Sequence, residues 1–442
     1  MSRLIHILLI CCIFTLAQAQ DYTELIHNNP AMAAANMMNY HFEEVGQTPA
    51  PKGYKAFYIS HYGRHGSRYQ TNDLYAGTIW PLMRKADSLH ILSKPGKAFY
   101  KDFNAVMQEQ MGMFGMLTGL GAKEQRGIAM RMAEQFPDVF QGRNGRKTVF
   151  CQSSTVPRCL ISMNNFTHSL DRHTEGLDFT FITGQKYYDY LAHKHVASPA
   201  KELANAKEDS LRRAVMKPLE LIDHFFADRE KALELIGDPY SFEEQLYLAS
   251  CVGQLTDYGV CLLSHFPTDI LIRNWEIRNA RFYLAYGMSY EMSEYQKEIS
   301  RCLISDFIRR AEQAIKEDSN IAADIRFGHD TSLLPFIGHI GLKGTHEFFR
   351  FERVNSVWNS SVSICMASNI QMIFYRNKSG DILVKIMYNE KETTIPALKA
   401  VCGPYYKWSE LEKHLKSLIP EENLGSKWNN CLEHTVIKNC RN

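Results

Sequence analysis

An excess of charge of one sign is the first thing this chain lacks. Its 442 residues carry 50 Lys and Arg against 48 Asp and Glu, a formal net charge of +2. No global field therefore draws it to nucleic acid or to an anionic membrane, and any anion site must be local. Internal repeats, low-complexity tracts and Gly/Ser linkers are also absent, which leaves an ordinary folded composition, 45% hydrophobic and 22% charged. No cysteine spacing marks a zinc or iron–sulfur site. After the first residues no second long apolar run follows, so no stable membrane span is expected.

What stands at the start is "MSRLIHILLICCIFTLAQAQ". Arg3 leads into an apolar run to about Leu16, and Ala17-Gln18-Ala19 offers small residues for cleavage. Residues 1–19 therefore read as a secretory signal, with a retained anchor as the alternative. The mature chain is expected to be exported, periplasmic or secreted. Two of the 11 cysteines, Cys11 and Cys12, would leave with the signal. Of the rest, Cys251/Cys261 and Cys431/Cys440 are close enough in sequence to be bridge candidates in an oxidising compartment.

Three short apolar runs, "YKAFYIS", "KTVFCQSS" and "ADIRFGHD", each end in a polar cluster with Arg or His. Such a pattern predicts an α/β fold, a three-layer core whose mainly parallel sheet is flanked by helices and whose strand ends converge on one site. Residues 200–317 read as a mainly helical inserted domain that caps the cleft, with Pro218 breaking or kinking one helix. The α/β core is then discontinuous, 20–199 and 318–442. "IQMIFYR" and "ILVKIMYN" flank "NKSGD", a hairpin signal with Gly380 in the turn, and "WSELEKHLKSLI" reads as a late helix.

The stretch "YISHYGRHGSRYQT" sets a cationic cluster where a buried strand ends. Phosphoryl transfer needs a nucleophile, cations around the equatorial oxygens and an acid for the leaving oxygen. Arg64 and Arg68 flank His65, and the planar guanidinium grips phosphate through paired hydrogen bonds. Gly63 and Gly66 would let the backbone turn tightly and approach a ligand. Arg158 follows the second strand, and His329 with Asp330 ends the third.

These motifs resemble a known family. "RHGSR" is similar to the Arg-His-Gly-x-Arg signature of the histidine phosphatase superfamily, and "GHDTSLLPFIGHIGL" resembles the His-Asp motif of its acid-phosphatase branch. "SSTVPRCLISMNNF" looks like that branch's intervening segment, and "ASNIQMIFYRNKSGDILVKIMYNEKE" looks closest to multiple inositol polyphosphate phosphatases. The resemblance implies His65 as nucleophile through a phosphohistidine, Arg64, Arg68, Arg158 and His329 around the phosphoryl group, and Asp330 as leaving-group acid, with no cofactor and no metal. Small phosphate esters such as phytate would be the partners. Two departures stand out. Tyr69-Gln70 replaces a Pro common two residues past the second Arg, and His329-Asp330-Thr331 stands where this subfamily commonly has His-Ala-Glu.

His61 is expected to be structural. Lys123, Arg126 and Arg131 read as one solvated helix face, or else as a polyphosphate rim, and the 18 methionines as core filling rather than a cofactor site. The competing readings are a broad-specificity acid phosphatase on sugar phosphates, a phosphotransferase, a non-catalytic phospholigand-binding protein, and a metallohydrolase using His329 and Asp330. Were Asp330 not the acid, Glu347 or Glu352 would be next.

Overall fold

The computed structural model describes residues 22–141, 147–192, 198–316 and 319–420. The expected signal segment and Cys431/Cys440 lie outside the described residues.

Among the described residues, eight strands form one sheet: β1 (Lys55–Arg64), β2 (Lys147–Ser153), β3 (Leu177–Thr183), β4 (Ile321–Gly328), β5 (Asn369–Arg376), β6 (Ile382–Tyr388), β7 (Lys391–Thr393) and β8 (Tyr405–Lys407). Their order is β3-β2-β4-β1-β5-β6-β7, with β8 also on β6. The first four run parallel. Beyond β1 the pairing turns antiparallel through the β5–β6 hairpin, whose turn holds Gly380 at φ 86°. That positive φ suits glycine.

β1 is central and buried on both faces, which helices on both sides of a parallel sheet require. Alternation assigns its residues: Tyr58 and Tyr62 join one apolar cluster with the Ser293–Ala314 and Asp330–His339 helices. Ile59 faces the other way, into a cluster with the Gly119–Gln135 and Pro157–Arg172 helices. The result is the expected helix–sheet–helix arrangement.

A third apolar cluster lies among helices alone. It joins Leu221 to Trp275 with Ile79 to Met107 and with Ile26 to Met37. Helical packing away from the sheet thus draws on two stretches of chain besides the 200–317 segment. Pro218 does break its helical run: one helix ends at Val215 and Pro218 opens the next, where a missing N–H costs nothing.

Cys251 and Cys261 stand as free thiols, which corrects the expected bridge. Apolar packing takes up both side chains instead, Cys251 fully buried in the helical cluster and Cys261 against its edge.

Candidate active site

The register of the parallel strands aligns the motifs. Arg64 at the end of β1 sits opposite Gly328 at the end of β4, and Ser153 of β2 opposite Phe327. His65 N–H continues the ladder to Gly328 O at 3.1 Å, and Ser154 N–H reaches Phe327 O at 3.1 Å. Consequently the residues after three different strands meet. The His65 and His329 rings lie 5.4 Å apart, centroid to centroid, nearly perpendicular at 74°.

The His65 loop has no idle backbone donor between 64 and 67. Arg64 N–H goes to Ser368 O at 2.8 Å, Gly66 N–H to Ser162 Oγ at 3.1 Å, and Ser67 N–H to Glu124 Oε2 at 2.7 Å. Glu124 also accepts from Ser67 Oγ at 2.7 Å and Tyr40 N–H at 3.0 Å, while Gln125 Nε2 donates to Arg64 O at 3.0 Å. Such full satisfaction locks the loop. Gly66 is needed for a reason other than ligand approach: a Cβ there would meet Gly121 O at 2.5 Å. The close approach is to the neighbouring helix, and neither Gly63 nor Gly66 has a positive φ.

His65 Nδ1 lies 2.9 Å from Gly66 O. A carbonyl can only accept, so Nδ1 carries the proton and Nε2 keeps its lone pair. Burial, then the charges of Arg158, Arg64 and Arg68 among its neighbours, hold the His65 pKa well below 6.5.

Arg64 is 1% exposed and donates from Nη1 to Asn36 O at 2.6 Å and Ile364 O at 2.8 Å, and from Nη2 to Asp330 Oδ2 at 2.8 Å. Arg68 Nη1 donates to Tyr69 O at 2.8 Å, and Arg158 Nη1 reaches Gly115 O at 3.3 Å. The Nε atoms of all three are buried without a partner. Burial and the Arg158 and Arg64 charges bring the Arg68 pKa down to about 9. Arg158 is lowered too, chiefly by burial. A cluster whose cations depress one another is primed for an anion.

Asp330 opens the buried Asp330–His339 helix. Its Oδ2 also accepts from Asn36 Nδ2 at 2.8 Å, and its Oδ1 from Thr331 N–H at 2.9 Å. Tyr62 Oη takes the His329 N–H at 3.1 Å, and His329 Nε2 lies 3.4 Å from Ser154 Oγ. All six residues singled out in the sequence, Arg64, His65, Arg68, Arg158, His329 and Asp330, are buried together.

Tyr69-Gln70 has a clear use here. Gln70 N–H donates to Gln110 Oε1 at 2.9 Å, a bond a proline would forfeit, and Gln70 Nε2 reaches Leu248 O at 2.8 Å. His61 is buried against Phe166 and Phe327, and burial brings its pKa down to about 3. The Lys123-Arg126-Arg131 reading needs correction. Lys123 is exposed, but Arg126 binds Asn165 Oδ1 at 2.6 Å and Arg131 forks onto buried Glu390 at 2.8 and 2.7 Å. Those guanidiniums tie their helix to the Pro157–Arg172 helix and to the turn between β6 and β7, as neither a solvated face nor a rim. Glu352 pairs with Lys207 on an exposed face, and Glu347 with His346.

Sequence reasoning missed Asn36, Glu124 and Arg278. Arg278, on the Thr268–Tyr286 helix, acts on Arg68 through its charge and has a buried, unpartnered Nε. Among the described residues, no group of three or more His, Cys, Asp or Glu side chains is arranged to hold a metal. No helix there is long and apolar enough to cross a membrane.

Guanidiniums, imidazoles and one carboxyl gathered at the carboxyl ends of parallel strands mark an anion-handling α/β enzyme. The family model of the histidine phosphatase superfamily (branch 2) matches residues 63–389, and the chain belongs to that superfamily as a phosphatase. No curated protein matches its sequence. Among solved structures it is similar to the multiple inositol polyphosphate phosphatase of Bifidobacterium longum in complex with inositol hexasulfate, at TM-score 0.70 and 19% identity over 87% of this chain and 97% of that one. The phytase of D. castellii gives 0.66 and 12% over 88% and 85%, and Hafnia alvei phytase 0.53 and 12% over 84% and 98%. At these identities the likeness is one of fold.

Proposed function

We propose that the protein is an exported phosphomonoesterase acting on inositol polyphosphates of the phytate type, through a phosphohistidine at His65. The observation that carries this reading is the Nδ1 bond to Gly66 O, which leaves Nε2 as the nucleophilic atom inside a cluster of cations. In the first step Nε2 attacks phosphorus, the P–O ester bond breaks, and protonated Asp330 gives its proton to the departing alkoxide. In the second, water attacks the phosphohistidine, the P–N bond breaks, and Asp330 takes a proton from that water. Inorganic phosphate leaves and both residues return to their starting states. Arg64, Arg68, Arg158 and His329 hold the phosphoryl oxygens and offset their growing charge.

A polyanionic substrate is supported by Arg278, a cation beyond the Arg64–Arg68–Arg158 set that still acts on Arg68. The name of the Bifidobacterium longum relative, which binds inositol hexasulfate, points the same way. Residues 20–199 and 318–442 would form the catalytic core, joined on the sheet by the Ser293–Ala314 helix, and the rest of the 200–317 segment, carrying Arg278, the cap. Export rests on the signal-like first 19 residues. A second reading, a broad acid phosphatase on sugar phosphates, is favoured by His329-Asp330-Thr331. Phosphate release from phytate, glucose phosphates and an aryl phosphate decides between them. We expect kcat/KM for phytate to exceed that for glucose phosphates at least about tenfold, whereas equal values would favour the broad enzyme.

A further inference from the structure

We propose that Asn36 is a positioning residue for Asp330, holding its carboxyl in register with the leaving oxygen in both of its protonation states. This rests on the reading of Asp330 as the leaving-group acid. Asn36 lies before residue 63, where the family match begins, and reaches the site across a separation of 294 residues. Three observations bear on it.

The first is contact. Asn36 is 4% exposed, its Nδ2 donates to Asp330 Oδ2 at 2.8 Å, and its own carbonyl is gripped by Arg64 Nη1 at 2.6 Å. Side chain and backbone thus engage the two residues that also bind each other. The second is an orphan: Asn36 Oδ1 is buried with no hydrogen-bond partner. Buried amide oxygens are seldom left so, and the exceptions call for an explanation. The third is strain. Ala35, just before it, sits at φ 53° and ψ −134°, a conformation a residue with a Cβ rarely adopts. The surrounding chain enforces it. Tyr247 Oη donates to Ala33 O at 2.6 Å, Ser361 Oγ to Met32 O at 2.6 Å, and Met366 N–H to Met38 O at 2.8 Å.

An amide suits a group that changes protonation state in each half of the cycle. With Asp330 ionised, Nδ2 donates to the carboxylate. With Asp330 protonated and waiting, a half-turn of the amide presents Oδ1 to accept from the carboxylic O–H at the cost of no other bond, and the amide turns back as that proton passes to the departing alkoxide. Asp330 therefore stays paired while Arg64 moves to the phosphoryl group. The charged and titratable groups facing Asp330 are Arg64 and Tyr62 from β1, Arg68 from the loop, Arg158 from the Pro157–Arg172 helix, Tyr286 from the Thr268–Tyr286 helix, and the adjoining His329.

The test uses Asn36→Leu, Asn36→Asp and Asp330→Asn on an inositol phosphate and an aryl phosphate across pH, with melting temperatures. Asn36→Leu should lower kcat on the inositol ester by about 10- to 100-fold, with little change in KM and little effect on the aryl ester. Its alkaline limb should move up, because a donor to the carboxylate is gone. Asn36→Asp, of the same shape, should raise that limb by about one unit or more through the like charge, and it carries the test if the leucine variant fails to fold. Equal losses on both esters with the limb unmoved would overturn the proposal while leaving the mechanism intact. Should Asp330→Asn itself slow both esters alike, the acid assignment fails and the role of Asn36 falls with it.

Discussion

Arg64 and Asp330 are bound to each other, Nη2 to Oδ2 at 2.8 Å, with side chains 1% and 11% exposed. In the proposed mechanism Arg64 serves the phosphate and Asp330 the leaving oxygen, and here the two hold one another. Neither charge is left buried alone. On the mechanism proposed above, an arriving phosphoryl group would compete for Arg64 and so free Asp330 to take up a proton.

That competition gives Asp330 a leaving-group signature. Asp330→Asn should slow an inositol phosphate by about 10²- to 10⁴-fold, the usual worth of general acid catalysis. An aryl phosphate, whose phenolate departs nearly unaided, should lose far less. kcat/KM for both esters checks this, and equal losses would move the acid elsewhere.

If His65 is the nucleophile proposed above, the acid side of the pH profile belongs to it, since it must be neutral to attack. Its depressed pKa keeps it neutral below 6.5, so kcat/KM should hold up well into acid. After burial, the charge of Arg158 does most to depress that pKa. Arg158→Ala should therefore raise the His65 pKa and move the acidic limb to higher pH, besides costing about 10²- to 10³-fold in rate through a lost oxyanion donor. A limb that stays in position would contradict the electrostatic account.

Stability should fall with acid for a separate reason. His61 is neutral in the fold, with its pKa brought from 6.5 down to about 3 by burial. The unfolded chain binds the proton first, so this contribution is complete above about pH 6.5 and drains away as pH falls towards 3, at about 1.4 kcal/mol per unit. His61→Leu should flatten the dependence of melting temperature on pH across that window. An unchanged slope would assign the acid sensitivity to other groups.

Arg278 offers a handle on substrate. Arg278→Ala should raise KM for phytate about 5- to 20-fold, the worth of one charge-assisted contact, and leave an aryl phosphate nearly untouched. Equal effects on both would remove the residue from the recognition of a second phosphate.

The sheet was legible because β1, β2 and β4 are apolar runs ending in polar clusters, and the Gly380 turn announced its hairpin. The six site residues were legible because each lies within two motif lengths of a strand end. What sequence reasoning could not reach is long-range. Asn36 meets Asp330 from the far end of the chain, and a lone Asn in "AMAAANMM" carries no chemical signal. Glu124 stands between the charges of Lys123 and Arg126 in the sequence, yet its carboxylate points inward to Ser67 because Gly121, one turn earlier, lets the loop press against the helix. The helical cluster enlists residues 79–107 through packing that no local periodicity reveals.

The central claim is that phosphorus is held covalently on His65 Nε2. Rapid acid-minimised quenching of wild type with phosphorus-labelled substrate, followed by digestion and mass mapping, tests it most directly. The account predicts an acid-labile, alkali-stable label near one equivalent per active site, mapped to His65 and absent from His65→Ala. A turning-over wild type that never carries label, or label that persists in the folded His65→Ala variant, would contradict it.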